Sequence, residues 1–557
     1  MGSRDALKTI LSHSLLFASC LTGAIRWRTA THRVAAVQAR LLRDTLATNA
    51  ATVFGREHRF SAIRDVAGYR EHVPVRGYAE LEPYMERVAA GHPGILTAQP
   101  VQSFALSSGS SAATKRIPYT PSLLADFRRG ITPWLFGLYL DHPSLLLGKS
   151  YWQVSPVGVP AGMTSGGIPI GFGEDSEYFG RCRGALVRAT LAVPENVSGL
   201  TDIDAFRFET LRHLLVCRNL RLISVWNPSF LTLLLGELRS LAPALIHRIE
   251  ADGLAKRAVE LRSIFDECDG NECDGAALTQ RDPSGRTLGE ALWPDLQVIS
   301  CWTDAGAGEA ARRLQAAFPS VAIQPKGLIA TEGMMSLPWR ARGAALALGS
   351  HFFEFLEPGA DGADGADTPK LAHELETGRT YSIVLTTSGG LYRYRIGDLV
   401  EVTGWIAQCP LLLFRGRESD VSDLVGEKLN GVHVVRAAAQ VFARYGFLPE
   451  FWMVAPQTGD PAPCYALYTQ SSAPVPGALA SALDAALAEN FHYAYARRLG
   501  QLAPLQLFPI DPASSPETDY LRAQAASGRR LGGIKRPLFD RTTGWDGVFH
   551  RDISDVS

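Results

Sequence analysis

At 557 residues the chain is too long for one ordinary hydrophobic core, so two or three domains are expected. Its 46% hydrophobic and 20% charged residues are the balance of a soluble globular protein. Lys and Arg total 55 against 56 Asp and Glu, which removes any bulk electrostatic reason to bind nucleic acid or an anionic membrane.

Taken in chain order, Thr9 to Ile25 carries no formal charge, and Leu16 to Cys20 faintly resembles a lipoprotein cleavage site. His13 and several Ser and Thr dilute the run, which falls short of the ~20 clearly apolar residues that span a bilayer. It is therefore expected to be an N-terminal helix packed on the main domain. From Thr31 to Asn49, Val34, Val37, Leu41, Leu42 and Leu46 recur at helical spacing. Pro74 and Pro83 break the next segment, and Gly91 to Gly94 forms a turn around Pro93. From Phe104 onward, short apolar runs alternate with helical stretches, the α/β rhythm. Leu145 to Leu147, Leu222 to Val225, Val298 to Ile299 and Ile383 to Thr386 are expected to be buried strands, and Phe230 to Leu241 a helix.

Cys268 and Cys273 stand in an acidic stretch without further ligands at metal-binding spacing, so it reads as a solvated loop. Eight cysteines spread thinly along the chain suit free thiols in a reducing cytoplasm. The Gly-Ala-Asp repeat between Pro358 and Asp367 reads as a mobile insertion. A boundary is expected near Arg417 to Asp423, after a strand-like Leu411 to Phe414. The remainder reads as a smaller α+β unit with an Ala-rich helix at Leu479 to Glu489.

Four segments suggest chemistry. In Phe104 to Pro118, a loop rich in Ser and Gly follows an apolar strand and offers backbone N–H groups and hydroxyls suited to a polyphosphate. Gly109 permits close backbone approach and Lys115 can neutralise phosphate charge, although the common P-loop spacing is absent. Ile329 to Met334 sets the carboxylate of Glu332 beside a glycine, which suits a Mg²⁺ that keeps most of its water. Leu391 to Asp398 ends in an Asp able to accept from both ribose hydroxyls, and Phe414 to Asp420 reads as a flexible charged joint.

In their order and separation these segments resemble the auxin-responsive acyl-acid amido synthetases, a family of plant jasmonate- and auxin-conjugating enzymes with bacterial members. The family lies within the adenylate-forming superfamily of acyl-CoA ligases and firefly luciferase. The resemblance runs from about Val37 to Asp540 and is dense at Tyr78 to Arg87, Phe352 to Leu356 and Thr386 to Asp398. It implies an α/β fold: a large N-terminal adenylation domain, residues 1–417, built on β-sheets flanked by helices. A smaller mobile α+β lid, residues 418–557, would follow.

The resemblance also implies roles. Ser107, Ser108, Gly109, Ser110 and Ser111 with Lys115 match the phosphate-binding loop, with Ser110 where Thr is usual and Ala112 where Gly is common. Thr331 and Glu332 match the adenine and magnesium motif, and Asp398 the ribose-binding Asp. Arg417 matches the arginine of the joint, Asp420 stands near the pivot, and Lys428 begins the mobile domain. Lys535 matches the C-terminal lysine that reaches the α-phosphate during adenylation. Trp226 and Phe230, with Met334 and Met335, are candidates for the acyl pocket, the competing reading being that they are core.

The implied activity is ATP- and Mg²⁺-dependent formation of an acyl-adenylate from a small carboxylic acid, followed by transfer to an amine, an amino acid. Positioning and charge stabilisation carry such a reaction, so no Ser-His-Asp or Cys-His set is required. His213, His247 and His373 are accordingly read as structural. A thiol acceptor such as coenzyme A or a carrier-protein arm is the second enzymatic reading, and a non-catalytic nucleotide- or acid-binding relative the third. A monomer with no nucleic-acid or membrane partner is expected.

Overall fold

A computed structural model describes residues 3–107, 115–153, 162–171, 180–200, 202–268, 277–304, 307–358, 368–418, 421–422, 424–425, 427, 429–458, 462–526 and 536–549. The described chain divides into two compact units. One holds the residues up to Phe414 apart from Gly397–Leu399; those three residues and everything from Arg415 form the other.

In the first unit, four parallel strands lie in the order Lys149–Trp152, Leu220–Ser224, Val298–Cys301, Ala322–Pro325. Such strands are buried on both faces and read as apolar runs. The helices Ile203–Val216, Pro228–Gly236, Leu238–Ala251 and Ala255–Glu267 supply the cover on one side, through Leu214, Leu231, Leu245 and Leu261 against Ile223 and Ile299. A second sheet carries the hairpin Ser103–Ser107/Lys115–Tyr119. The third sheet has seven strands and includes Phe352–Leu356, Thr380–Thr386, Tyr394–Ile406 and Cys409–Arg417. Its core joins Phe353, Ile383 and Tyr394 to Val34, Leu42 and Leu46 of the helix Val34–Asn49.

The N-terminal helix, Ser3–Ala30, buries Thr9, His13, Leu16, Cys20 and Trp27 and leaves Leu7, Leu11, Leu15 and Ile25 exposed. By length and composition alone it is the one unbroken helix among the described residues long and apolar enough to cross a membrane. Its buried face packs on the helix Pro121–Asp141, where Phe17 stacks on Phe136 at 5.0 Å.

Two local expectations are corrected. Leu145 to Leu147 is not a strand but the end of a 3₁₀ turn, Pro143–Leu147. Proline at the first helical position is already set at helical φ, and three consecutive leucines carry no period that favours a strand. The strand begins after Gly148, at Lys149. The helix expected over Phe230 to Leu241 is two helices, broken at Glu237 and bent by 65°. Gly236, which costs about 1 kcal/mol against Ala in a helix interior, ends the first.

A buried charge network fixes the start of the strand Tyr394–Ile406. Arg393 has φ +47°, outside the range comfortable for a side-chain-bearing residue. Its guanidinium donates to Glu354 Oε2 at 2.8 Å and to the Val73 carbonyl at 2.8 Å, while Arg70 donates to Glu354 Oε1 at 2.8 Å. The backbone of Arg76 closes the arrangement by donating to the Arg393 carbonyl and accepting from the Arg395 N–H. A strained residue persists where its surroundings over-determine it.

The second unit is α+β. A three-stranded sheet, Phe451–Gln457, Cys464–Gln470 and Gln506–Pro509, packs with the helices Gly431–Tyr445, Leu479–Leu487 and Phe491–Arg498 through Val434, Leu467, Leu483 and Tyr493.

Candidate functional site

The hairpin that carries the phosphate-loop motif is paired in register from Ser103 opposite Tyr119 to Ser107 opposite Lys115. Ser108, Gly109, Ser110 and Ser111 lie outside the described residues. Lys115, on the return strand, donates to Tyr394 Oη at 3.4 Å and lies 5.7 Å from the ring centroid of Tyr78. The other end of that strand bears Tyr119, whose hydroxyl donates to the Thr331 carbonyl at 2.7 Å. One strand thus ties the phosphate-loop motif to the Thr-Glu motif.

Thr331 and Glu332 are the two-residue turn of a hairpin in which Ala330 pairs with Gly333. Glu332 is buried. The turn is held from behind by His351, whose Nε2 accepts from the Met334 N–H at 3.1 Å. That bond leaves the ring proton on Nδ1, 3.5 Å from Asp126 Oδ2. Gly333 is needed there, because a Cβ would meet His351 Nε2 at 2.6 Å.

Within the second unit, Arg417 Nε donates to buried Asp398 Oδ1 at 3.0 Å. Gly397 has φ +82°, and its carbonyl accepts from the Glu418 N–H at 2.8 Å. Asp420, Lys428 and Lys535 lie outside the described residues. Beside Lys428 in sequence, Glu427 is buried and accepts from the N–H groups of Leu424 and Val425 and from the Tyr465 hydroxyl.

The acyl-pocket candidates separate. Met334 and Met335 are fully buried in the main core, and Phe230 packs beside Phe206 at 6.4 Å. Trp226 instead belongs to a polar and aromatic cluster that reasoning from sequence missed. The four parallel strands are followed, respectively, by Gln153, Val225 with Trp226, Trp302 and Lys326. The Nζ of Lys326 lies 4.2 Å from the Trp226 ring centroid and donates to Ser224 Oγ at 2.8 Å. Burial pushes the neighbouring Cys301 thiol up to about 12, so it is no nucleophile at neutral pH. The available signal was repetition, an aromatic or amide-bearing residue just past several short apolar runs.

Comparison with known proteins agrees with this geometry. The GH3 family N-terminal domain matches residues 25–323, and the GH3 family central domain matches residues 344–417. The chain belongs to the GH3 family. The GH3 members similar to it include the indole-3-acetic acid-amido synthetase GH3.8 of Oryza sativa subsp. indica, 25% identical with 74% of this chain and 71% of that one covered. The probable indole-3-acetic acid-amido synthetase GH3.12 of Oryza sativa subsp. japonica is 25% identical, with 92% of each chain covered. Among solved structures, the AtGH3.15 acyl acid amido synthetase in complex with 2,4-DB superposes with a TM-score of 0.78 at 19% identity over 94% of each chain. The α/β architecture is therefore that of a GH3 protein.

Proposed function

We propose that this GH3 chain is an ATP-dependent ligase that activates a carboxylic acid as its acyl-adenylate and transfers the acyl group to an amine, most simply the amino group of an amino acid. The observation that carries the reading is the GH3 match across residues 25–323 and 344–417, which contain the phosphate-loop and Asp398 motifs and flank the Thr-Glu motif between them. Several relatives are named for amide formation, including a 4-substituted benzoates-glutamate ligase of Arabidopsis thaliana, 24% identical over 74% of this chain and 73% of that one. The division of labour follows the family: residues 1–417 bind ATP and acid, and residues 418–557 act as a mobile lid.

The residues fit the magnesium nucleotide. Among the described residues no group of three or more His, Cys, Asp and Glu gathers around a metal. Glu332 offers carboxylate oxygens at the turn, a donor suited to a Mg²⁺ that completes its shell with water and phosphate. When bound, the cation offsets the charge that accumulates on the departing pyrophosphate.

The chain's own groups do the rest. A carboxylate oxygen attacks the α-phosphorus; the new C–O–P anhydride forms as the bond to the β-phosphate bridging oxygen breaks. Lys115, with the serine loop, neutralises phosphate charge, Asp398 accepts from the ribose hydroxyls, and Lys535 supports the α-phosphate. The amine nitrogen then attacks the acyl carbon, AMP leaves with the bonding pair, and the amine proton passes to solvent. Charge stabilisation by groups already in place is the main source of rate in such a reaction. Arg417 and Lys428 act at the joint and on the lid, which alternates between the two half-reactions.

We read the protein further as a cytoplasmic monomer, with Cys20, Cys217, Cys268, Cys301, Cys409 and Cys464 as free thiols. The test is acid-dependent ATP–pyrophosphate exchange over a panel of acids, with product masses read from reactions containing amino acids and coenzyme A. Amide products support the reading. Thioesters alone would move the acceptor to a thiol, and no exchange with any acid would leave only a binding protein.

A further inference from the structure

The two faces of the helix Ser3–Ala30 meet different surroundings. One is committed to the protein: His13 Nε2 donates to the Gly148 carbonyl at 2.9 Å, Arg183 donates to the Ser19 carbonyl at 2.6 Å, and Leu16, Cys20 and Trp27 are buried. The other carries Leu7, Leu11, Leu15, Leu21 and Ile25, each 44–66% exposed. At about 100° of rotation per residue these five fall within an arc of about 120°, opposite the buried residues. Leu147, next in sequence to the Gly148 that anchors His13, is a further exposed leucine. Contiguous apolar surface of this kind marks an interaction site rather than ordinary scatter.

The balanced charge of the whole chain, which by itself gives no reason to expect a membrane partner, hides a local imbalance here. From Ala6 to Arg43 there is no Asp or Glu, whereas Lys8, Arg26, Arg28, Arg33, Arg40 and Arg43 are all exposed. With 56 acidic residues in 557, a stretch of that length would hold about four by proportion, so the acids are missing from this segment in particular. By the same helical rotation Lys8 and Arg26 border one edge of the apolar arc and Arg28 the other. Asp5, the acid of the first turn, falls outside the arc.

An apolar stripe bordered by cations is complementary to acyl chains beneath anionic headgroups. A second copy of the helix fits less well. Antiparallel pairing would set Lys8 beside Arg26 or Arg28 and parallel pairing would set Lys8 beside Lys8, with only Asp5 of each helix to offset them. Spanning a bilayer would break the bonds that His13 and Ser19 make with the rest of the unit, so the helix can only lie on the surface. We propose that Ser3–Ala30 seats the protein on an anionic membrane surface, parallel to its plane. Leu7, Leu11, Leu15, Leu21 and Ile25 enter the boundary between headgroups and acyl chains, and Lys8, Arg26 and Arg28 lie among the lipid phosphates. This docking is independent of the adenylation reading.

Co-sedimentation of the full chain with vesicles tests it. The vesicles are phosphatidylcholine alone, or phosphatidylcholine with a quarter of phosphatidylglycerol. The proteins are wild type, the apolar-face variant Leu7→Ser/Leu11→Ser/Ile25→Ser, the charge variant Lys8→Gln/Arg26→Gln/Arg28→Gln, and Leu448→Ser, which removes an exposed leucine of the second unit. Wild type is expected to partition at least about tenfold more strongly onto the anionic vesicles, and several-fold less in about 0.5 M salt than in about 0.05 M. Each triple variant should lose at least about tenfold of that partition, while Leu448→Ser keeps it. The substituted side chains are exposed, so thermal midpoints should stay near that of wild type, and the charge variant judges the proposal if the apolar-face variant does not fold. Equal partition onto neutral and anionic vesicles overturns the proposal, as does full binding by the folded apolar-face variant. So does a wild-type dimer in analytical ultracentrifugation that ignores vesicles and that the apolar-face variant dissociates, which would give the face to a second copy.

Discussion

Arg417 and Asp398 meet through a hydrogen bond of 3.0 Å, Nε to Oδ1, between a half-buried guanidinium and a buried carboxylate. The pair joins two motifs that sit on neighbouring strands, Asp398 on Tyr394–Ile406 and Arg417 at the end of Cys409–Arg417. A carboxylate held this way is already oriented for the ribose contact proposed for it. Asp398→Asn keeps the shape and removes the charge, and is expected to raise the KM for ATP by about tenfold or more, the worth of one charge-assisted bond. Arg417→Ala should give a smaller rise, since it frees Asp398 without removing it. Initial rates of pyrophosphate exchange against ATP concentration check both.

Lys535 is expected to act in the first half-reaction only. Lys535→Ala should abolish acid-dependent ATP–pyrophosphate exchange while sparing amide formation from a supplied acyl-adenylate. Equal loss in both assays removes the assigned role.

The Tyr119 hydroxyl donates to the Thr331 carbonyl at 2.7 Å, so Tyr119→Phe should loosen the Thr-Glu turn with no change in shape. A net loss of about 1 kcal/mol is expected in urea unfolding. The kcat for exchange should fall further than that loss of stability alone requires if Glu332 acts on the reacting phosphates as proposed.

Gly333→Ala would press a methyl against His351, with Nε2 at 2.6 Å and Cδ2 at 2.9 Å. Overpacking of this kind costs about 1–3 kcal/mol. The variant should show a lower urea midpoint together with a marked drop in exchange. Glu354→Gln tests the buried network in another way, since it leaves the guanidinium of Arg393 without its carboxylate. Breaking one side of a buried pair costs about 3–5 kcal/mol, again read by urea unfolding.

His13 gives a pH dependence. Its Nε2 donates to the Gly148 carbonyl at 2.9 Å, and its Nδ1 accepts from the Tyr139 hydroxyl at 2.7 Å. Burial holds its pKa down at about 4 against 6.5 for the free side chain. Between those values the unfolded chain binds the proton and the folded chain does not, so stability falls as pH is lowered from 6.5 toward 4. The full loss is about 3 kcal/mol. Replacing His13 with Gln should flatten that part of the urea-unfolding profile measured from pH 7 to pH 4.5.

What the amino-acid order determined by itself was the class of chemistry and the rhythm of the fold. Local signals suffice for that: apolar runs of strand length, the Ser/Gly loop, Thr331-Glu332 and the run ending in Asp398 are each contiguous. Errors fell where a local pattern was ambiguous, as at Leu145 to Leu147, where Pro143 had already set a helical turn. Trp226 was legible as a pocket candidate, but its partners were not. Gln153, Ser224 and Lys326 carry no shared motif, and they converge only because parallel strands return in the same direction, so that the ends of different crossovers meet at one edge. The same holds for Arg70, Glu354 and Arg393, which lie far apart in the chain and are brought together by sheet register and burial. The tertiary structure alone decided which charges are enclosed, and enclosure is what strengthens the hydrogen bonds they make.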